Sequence, residues 1–239
     1  MSGTKGRKAK NEAVETEELR FVASKSAGPV SAILMRPAEA RSLLVLAHGA
    51  GAGMRHAFLE RVARGFADRG VATFRYQFPY FEKDSGKGWR RPDPRPVLLA
   101  TVRAAVAAAA QAAPRLPRFA GGKSMGGRMT SLAAADEPLA DVRGLVFFGF
   151  PLHPAGRPAT ERGEHLADVS LPMLFLQGTR DKLCELDLLR PIVAPLAATL
   201  HVEEEADHGF SVLKRSGRND DDVMDAILDT ATRWMDERC

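Results

Sequence analysis

Apolar and polar positions follow two rhythms along the chain. Continuous apolar runs at Ser42–Ala47 (SLLVLA), Gly144–Phe148 (GLVFF) and Met173–Gln177 (MLFLQ) have no polar face, which predicts strands in a sheet covered on both sides. Val30–Met35, Val71–Phe74, Arg118–Ala120 and Thr199–Val202 predict further strands. Between them the spacing lengthens. Phe58, Leu59, Val62, Ala63 and Phe66 form a helical stripe within His56–Arg69 that stops at Gly70. Helices are also predicted over Val97–Ala113, closed by Pro114, and from about Ser124 to Asp136. Cys184–Leu196 is helical in pattern, with Pro191 and Pro195 expected to kink or divide it. Asn219 caps a final helix whose Asp220–Asp222 suit the dipole and whose Val223, Ile227, Ala231 and Trp234 share one face. Six glycines and prolines between Arg75 and Pro96 predict a long irregular loop there.

Strands alternating with helices imply parallel βαβ units with right-handed crossovers, hence an α/β fold of three layers. No internal repeat and no interdomain linker interrupts the pattern, so residues 19–239 are expected to form one domain. Residues 1–18 are different. A basic block (Lys5, Arg7, Lys8, Lys10) precedes an acidic one (Glu12, Glu15, Glu17, Glu18), with too few apolar residues to offset the entropy of ordering. A loose tail is expected over that segment.

Composition narrows the function classes. Hydrophobic residues are 45% and charged residues 27% of 239, enough for a sizeable core. A net charge of +4 gives little reason to expect a nucleic-acid partner, and the acidic half of the tail cancels its basic half. Two cysteines, Cys184 and Cys239, make no disulfide framework, and no CxxC pair suggests zinc, so neither metal nor cofactor is expected. That usage fits a reducing cytoplasm. The N-terminus MSGTKGRKAK lacks the apolar core of a secretory signal, and Val97–Ala113 is alanine-rich and interrupted by Arg103 and Gln111, unlike a membrane span.

The chemistry centres on Gly122-Lys123-Ser124-Met125-Gly126, a G-x-S-x-G between a strand and a helix. Its glycines suit a turn too tight for side chains, which lifts the serine hydroxyl beside helix N-terminal amides. A phosphate-loop reading of GGKS fails, because the position of the first required glycine is Pro117. A nucleophilic serine needs a base and an acid later in the chain. His48 and His56 lie upstream; His201 falls in a strand pattern; His153 and His165 suit substrate contact or solvent. His208, in the loop Asp207-His208-Gly209-Phe210 after the last strand, is the candidate base. Asp181 follows MLFLQ at a strand end and is the candidate acid, the alternative being a helix cap. Asp207 is its rival, disfavoured as an immediate neighbour of the imidazole. Met125 and Ala50 are the candidate oxyanion donors, with Gly51 the near alternative to Ala50 in the turn His48–Gly53. Lys123 either adds positive potential beside the serine or stands in solvent.

AHGAGAGM, GGKSMGG, GTRD and DHGF, in this order, resemble the α/β-hydrolases, specifically the small dienelactone-hydrolase-like branch. FRYQFPYFE and GFPLHPAGRP resemble a family of bacterial predicted hydrolases whose eukaryotic relatives include a subunit of a chromatin-modifying complex. The resemblance implies an α/β-hydrolase fold from about Phe21 to the C-terminus, with Ser124 as nucleophile, His208 as base and Asp181 as its orienting acid. The nucleophile of dienelactone hydrolases is usually cysteine, so their substrate does not carry over. The stretch between Gly149 and Pro172 is too short for a helical cap domain, which predicts a shallow pocket with Tyr76 and Phe150 in its wall. The function expected is hydrolysis of a small ester or thioester. The competing class is a non-catalytic interaction module on the same scaffold, and a peptidase comes third.

Overall fold

The computed structural model describes residues 14–82 and 90–239. Eight strands form one sheet: β1 (Val14–Ser24), β2 (Gly28–Pro37), β3 (Ser42–Ala47), β4 (Val71–Tyr76), β5 (Arg118–Lys123), β6 (Val142–Phe148), β7 (Met173–Gly178) and β8 (Ala198–Glu203), in spatial order β1-β2-β4-β3-β5-β6-β7-β8. From β4 to β8 every neighbouring pair is parallel, whereas β2 pairs antiparallel with both β1 and β4. Ala47 stands opposite Gly122, Gly122 opposite Phe147, and Phe148 opposite Leu176. The carboxyl ends of β3, β5, β6 and β7 therefore lie abreast.

The helices are α1 (Ala57–Ala67), α2 (Pro79–Glu82), α3 (Arg95–Ala112), α4 (Met125–Asp136), α5 (Leu186–Val193) and α6 (Asp220–Asp236), with a 3₁₀ turn over Glu161–Asp168. One face of the sheet is covered by α3, α4 and α5, through Leu98, Val102, Met129, Ala133, Leu189 and Val193. The other is covered by α1 and α6, through Leu59, Val62, Phe66, Ile227, Leu228 and Trp234. Covering on both faces is why β3, β6 and β7 read as unbroken apolar runs. Among the described residues no cap domain rises from the sheet, and no helix is long and apolar enough to cross a membrane.

The structure departs from the sequence reading in four places. The segment expected to be loose is strand from Val14 onward, since Glu15 to Val22 pair with β2 and Glu15 meets Arg36 at 2.6 Å; residues 1–13 lie outside the described ones. Leu19, Phe21 and Ala23 turn inward on alternate positions, and Phe21 packs on Phe74 and Tyr76. The expected loop over Arg75–Pro96 begins later, because Arg75 and Tyr76 extend β4 opposite Ile33 and Ala32; it also contains α2, is cut short by α3 at Arg95, and its residues 83–89 lie outside the described ones. Strand β5 runs through Gly121 and Gly122 to Lys123 rather than ending at Ala120; a Cβ on Gly121 would lie 1.9 Å from the Val146 carbonyl oxygen, so only glycine allows this approach to β6. Finally, α5 contains Pro191 and ends at Val193, ahead of Pro195.

Candidate active site

Ser124 occupies the turn between β5 and α4 with φ 53° and ψ −121°, a conformation that L-residues rarely adopt. The turn is held from both sides: Ser124 N–H donates to Phe148 O (3.1 Å), and Arg128 N–H donates to Ser124 O (3.1 Å). The flanking glycines are there for lack of space. A Cβ on Gly122 would come within 2.5 Å of Ala47 O, and one on Gly126 within 2.6 Å of His48 O. Packing this tight keeps Ser124 in its strained geometry.

Asp181 follows β7 and His208 follows β8. His208 Nδ1 lies 2.7 Å from Asp181 Oδ2. The carboxylate is buried (4% exposed) and fully partnered: Gln177 Nε2 donates to Oδ2 (2.5 Å) and Leu183 N–H to Oδ1 (2.8 Å). Gln177 is itself fixed, because its Oε1 accepts from Phe150 N–H (2.9 Å). An acceptor-only carboxylate at Nδ1 requires the proton on that nitrogen, which leaves Nε2 as an acceptor. Asp207 does something else. Its Oδ1 accepts from Gly209 N–H (2.8 Å) and Ser211 N–H (3.0 Å), shaping the loop that carries the imidazole.

Ser124 and His208 meet the same strand end. Ser124 N–H is bonded to Phe148 O, and a Cβ on the next residue, Gly149 (φ 66°), would lie 3.2 Å from His208 Nδ1. That phantom Cβ would also lie 2.8 Å from Lys123 Nζ. Lys123 is half-buried, with its ammonium over the rings of Phe58 (5.4 Å) and Phe210 (5.3 Å) and bonded to the His208 carbonyl oxygen. Burial pushes it down to about 8, opposed by the charges of Asp181 and Asp207. It is neither a free solvent lysine nor a remote one.

The turn after β3 is set by two side chains. Buried His48 points Nδ1 at Gly49 O (2.8 Å), while its Nε2 accepts from Phe78 N–H (3.0 Å). Both bonds require a neutral ring, and burial pushes its pKa down to about 4. Tyr80 Oη donates to Ala50 O (3.0 Å). In a trans peptide the N–H opposes the C=O, so these two bonds fix the directions of the Ala50 and Gly51 amides. The turn abuts Ser124, since a Cβ on Gly49 would lie 3.7 Å from Ser124 Cβ. Met125 begins α4, so its N–H has no partner within the helix.

The remaining predicted residues have other duties. Tyr76 and Phe150, expected in the pocket wall, are each 1% exposed. Tyr76 packs against Phe21 and Phe78, and Phe150 against Phe147 and Phe175, so both belong to the core beneath the site. His153 is buried and accepts from Glu185 N–H (3.0 Å); His201 faces Glu203 (2.7 Å); His56 caps α1. His153 is shielded from solvent, and His165 is half-buried. His165 Nε2 lies 2.7 Å from Ser131 Oγ, a second serine–histidine contact. Ser131 sits mid-helix, and its hydroxyl donates to Arg128 O (3.0 Å), so the imidazole must be the donor, the reverse of a base–nucleophile pair. Cys184 is buried beside Asp181, and its thiol is pushed up to about 12, which keeps it protonated. Among the described residues no group of His, Cys, Asp and Glu could hold a metal ion. Sequence reasoning overlooked Gln177 and Tyr80. A glutamine ending an otherwise apolar strand was the available signal for the first.

Residues 40–236 match the family described as the alpha/beta hydrolase domain, and the chain belongs to it. Its fold is similar to that of a dienelactone hydrolase from Anabaena variabilis, with TM-score 0.73 and 18% identity over 94% of this chain and 98% of the other. It is also similar to an α/β serine hydrolase without lid from Xanthomonas campestris (TM-score 0.66, 20% identity, 92% and 95% covered). A cold-adapted esterase from an Arctic intertidal metagenomic library gives TM-score 0.64 at 21% identity, with 100% and 99% covered.

Proposed function

We propose that this α/β-hydrolase is a serine hydrolase that cleaves a small carboxylic ester or thioester through an acyl-enzyme. His208 Nε2 takes the Ser124 proton as Oγ attacks the substrate carbonyl carbon. The oxyanion is received by the amides of Met125 and Ala50. Collapse of the intermediate breaks the ester bond, and His208 gives its proton to the departing alcohol or thiol. Water then enters, His208 takes its proton as the hydroxide attacks the acyl carbon, and collapse of this second intermediate releases the acid while His208 returns the proton to Ser124 Oγ. Asp181 keeps the imidazole in the required tautomer and stabilises its protonated form. The scheme uses neither metal nor cofactor. The observation that carries it is the contact of His208 Nδ1 with buried Asp181 beside a serine held at φ 53°. The absence of a cap domain among the described residues favours a small substrate over a polypeptide, and the free thiols Cys184 and Cys239 suit a reducing cytoplasm.

A fluorophosphonate tests the reading, because only an activated serine reacts with it readily. Labelling should be stoichiometric, map to the peptide holding Ser124, and vanish in Ser124→Ala and His208→Ala. Slow labelling scattered over several serines of a folded sample would refute catalysis and leave a binding scaffold in its place.

A further inference from the structure

About half of the arginines among the described residues face a carboxylate. Arg61, Arg69, Arg103, Arg118 and Arg218 each face a carboxylate. Arg95, Arg128 and Arg162 do not: among the described residues none of the three forms an ion pair. They also stand together. Both α3 and α4 are crossovers between parallel strands, so the two helices run in the same direction with their N-termini at the catalytic edge of the sheet. Their register is set by Arg103, which donates to Ala133 O (2.7 Å) and to Asp136 Oδ2 (2.9 Å). Near the N-termini of these helices, Arg95 lies close enough to Arg128 for its charge to act on it. The 3₁₀ turn Glu161–Asp168 joins them through the contact of His165 with Ser131, which brings Arg162 alongside α4.

Arg128 is the member nearest the reaction. It lies one turn after Ser124, about 6 Å along the helix, and helical side chains lean back toward the N-terminus, here toward the nucleophile. Its guanidinium Nε is buried with no hydrogen-bond partner, and burial together with the charges of Arg162 and Arg95 pushes its pKa down to about 10. His165 adds no charge at neutral pH, since burial, Arg128 and Arg95 hold it at about 4 against Asp168. Three guanidinium groups without an ion pair, gathered around the one that follows Ser124 by a turn, repel one another until an anion arrives.

We infer that Arg95, Arg128 and Arg162 form a carboxylate subsite beside Ser124, so that the substrate is a half-ester or half-thioester of a short dicarboxylic acid. The inference rests on the hydrolase reading and narrows it. The free carboxylate of the acyl chain is clamped by the arginine cluster while its ester carbonyl meets Ser124, and the charge-assisted bonds favour acidic over neutral acyl chains.

The test compares 4-nitrophenyl hydrogen adipate with 4-nitrophenyl hexanoate, acyl chains of equal length that differ in the terminal charge. The intact protein should favour the adipate by about tenfold or more in kcat/KM at low salt, and the preference should shrink in 0.5 M NaCl. Arg128→Gln should cut the preference about tenfold. Arg95→Gln, at an exposed position with no packing to lose, should lower it in the same direction. Arg115→Gln, just beyond the C-terminal end of α3, should leave it intact. Equal rates on the two esters would overturn the subsite and leave the hydrolase standing, as would a protein that labels at Ser124 yet ignores the adipate. With neither ester cleaved and no label at Ser124, the hydrolase reading fails and the subsite falls with it.

Discussion

Lys123→Met probes the group that touches both halves of the site. Methionine keeps the unbranched apolar stem between Phe58 and Phe210 and removes the ammonium bonded to the His208 carbonyl. Lys123 is held at about 8, whereas a lysine in an unfolded chain titrates near 10.4. Between those two values the unfolded chain binds more protons than the folded one, so wild-type stability rises with pH there, by at most about 1.4 kcal/mol per pH unit. Below pH 8 both states are protonated, and the burial penalty is present in full. Because Lys123 keeps some contact with water, about 1–2 kcal/mol across the window is the expected gain. The variant lacks that gain, so its stability relative to wild type should decline from pH 8 to pH 10. Urea unfolding of both proteins at half-unit steps measures it, provided the m-values agree. Parallel stability curves would refute the argument, because they would mean that the ammonium titrates alike in both states.

Two further substitutions address the site and the sheet. Asp181→Asn should lower turnover about a thousandfold or more with the fold intact, since the imidazole loses its tautomer and its charge partner, whereas Asp207→Asn should cost only a few-fold; steady-state kinetics with the reverse ranking would move the acid to Asp207. Gly121→Ala should destabilise the protein by about 3 kcal/mol or more, because the added Cβ meets the Val146 carbonyl backbone at 1.9 Å, and a melting temperature within about 1 °C of wild type would contradict that packing.

The apolar runs of β3, β6 and β7 were readable because central strands buried on both faces need apolar side chains at every position. Edge strand β1 lacks that constraint. Its backbone pairs with β2 whatever the side chains, so Glu15, Glu17 and Glu18 on exposed positions imitate a solvated tail, and only Leu19, Phe21 and Ala23 carry a strand signal. Gly121 and Gly122 misled in the opposite way, because glycine usually ends a strand and here permits one to run close to its neighbours. The placement of Asp181 and His208 at strand ends was legible, since each follows a recognisable strand with a short loop. Which residues line the surface around Ser124 was not: Tyr76 and Phe150 lie near the site in sequence, but burial is settled by neighbours from β1, β6 and β7.

Five loops from one edge of the sheet converge on the serine, and each is fixed by a different device. His48 and Tyr80 orient the amides after β3, tight glycines hold Ser124 after β5, a left-handed Gly149 clears space after β6, Gln177 locks Asp181 after β7, and the Asp207 turn presents His208 after β8. A strained residue costs on the order of 1–3 kcal/mol and persists only where its surroundings over-determine it. At Ser124 they do, through two backbone hydrogen bonds and two close packings of glycine on β3. Relaxing the turn would break all four at once. With α3 and α4 closing one face and α1 and α6 the other, a substrate has to enter at the carboxyl edge of the strands. That edge also carries the N-termini of α3 and α4, so the approach to Ser124 passes the unpaired charges of Arg95 and Arg128. On the proposed reading, an anionic acyl chain would be drawn toward Ser124 there and a cationic one repelled before it could bind.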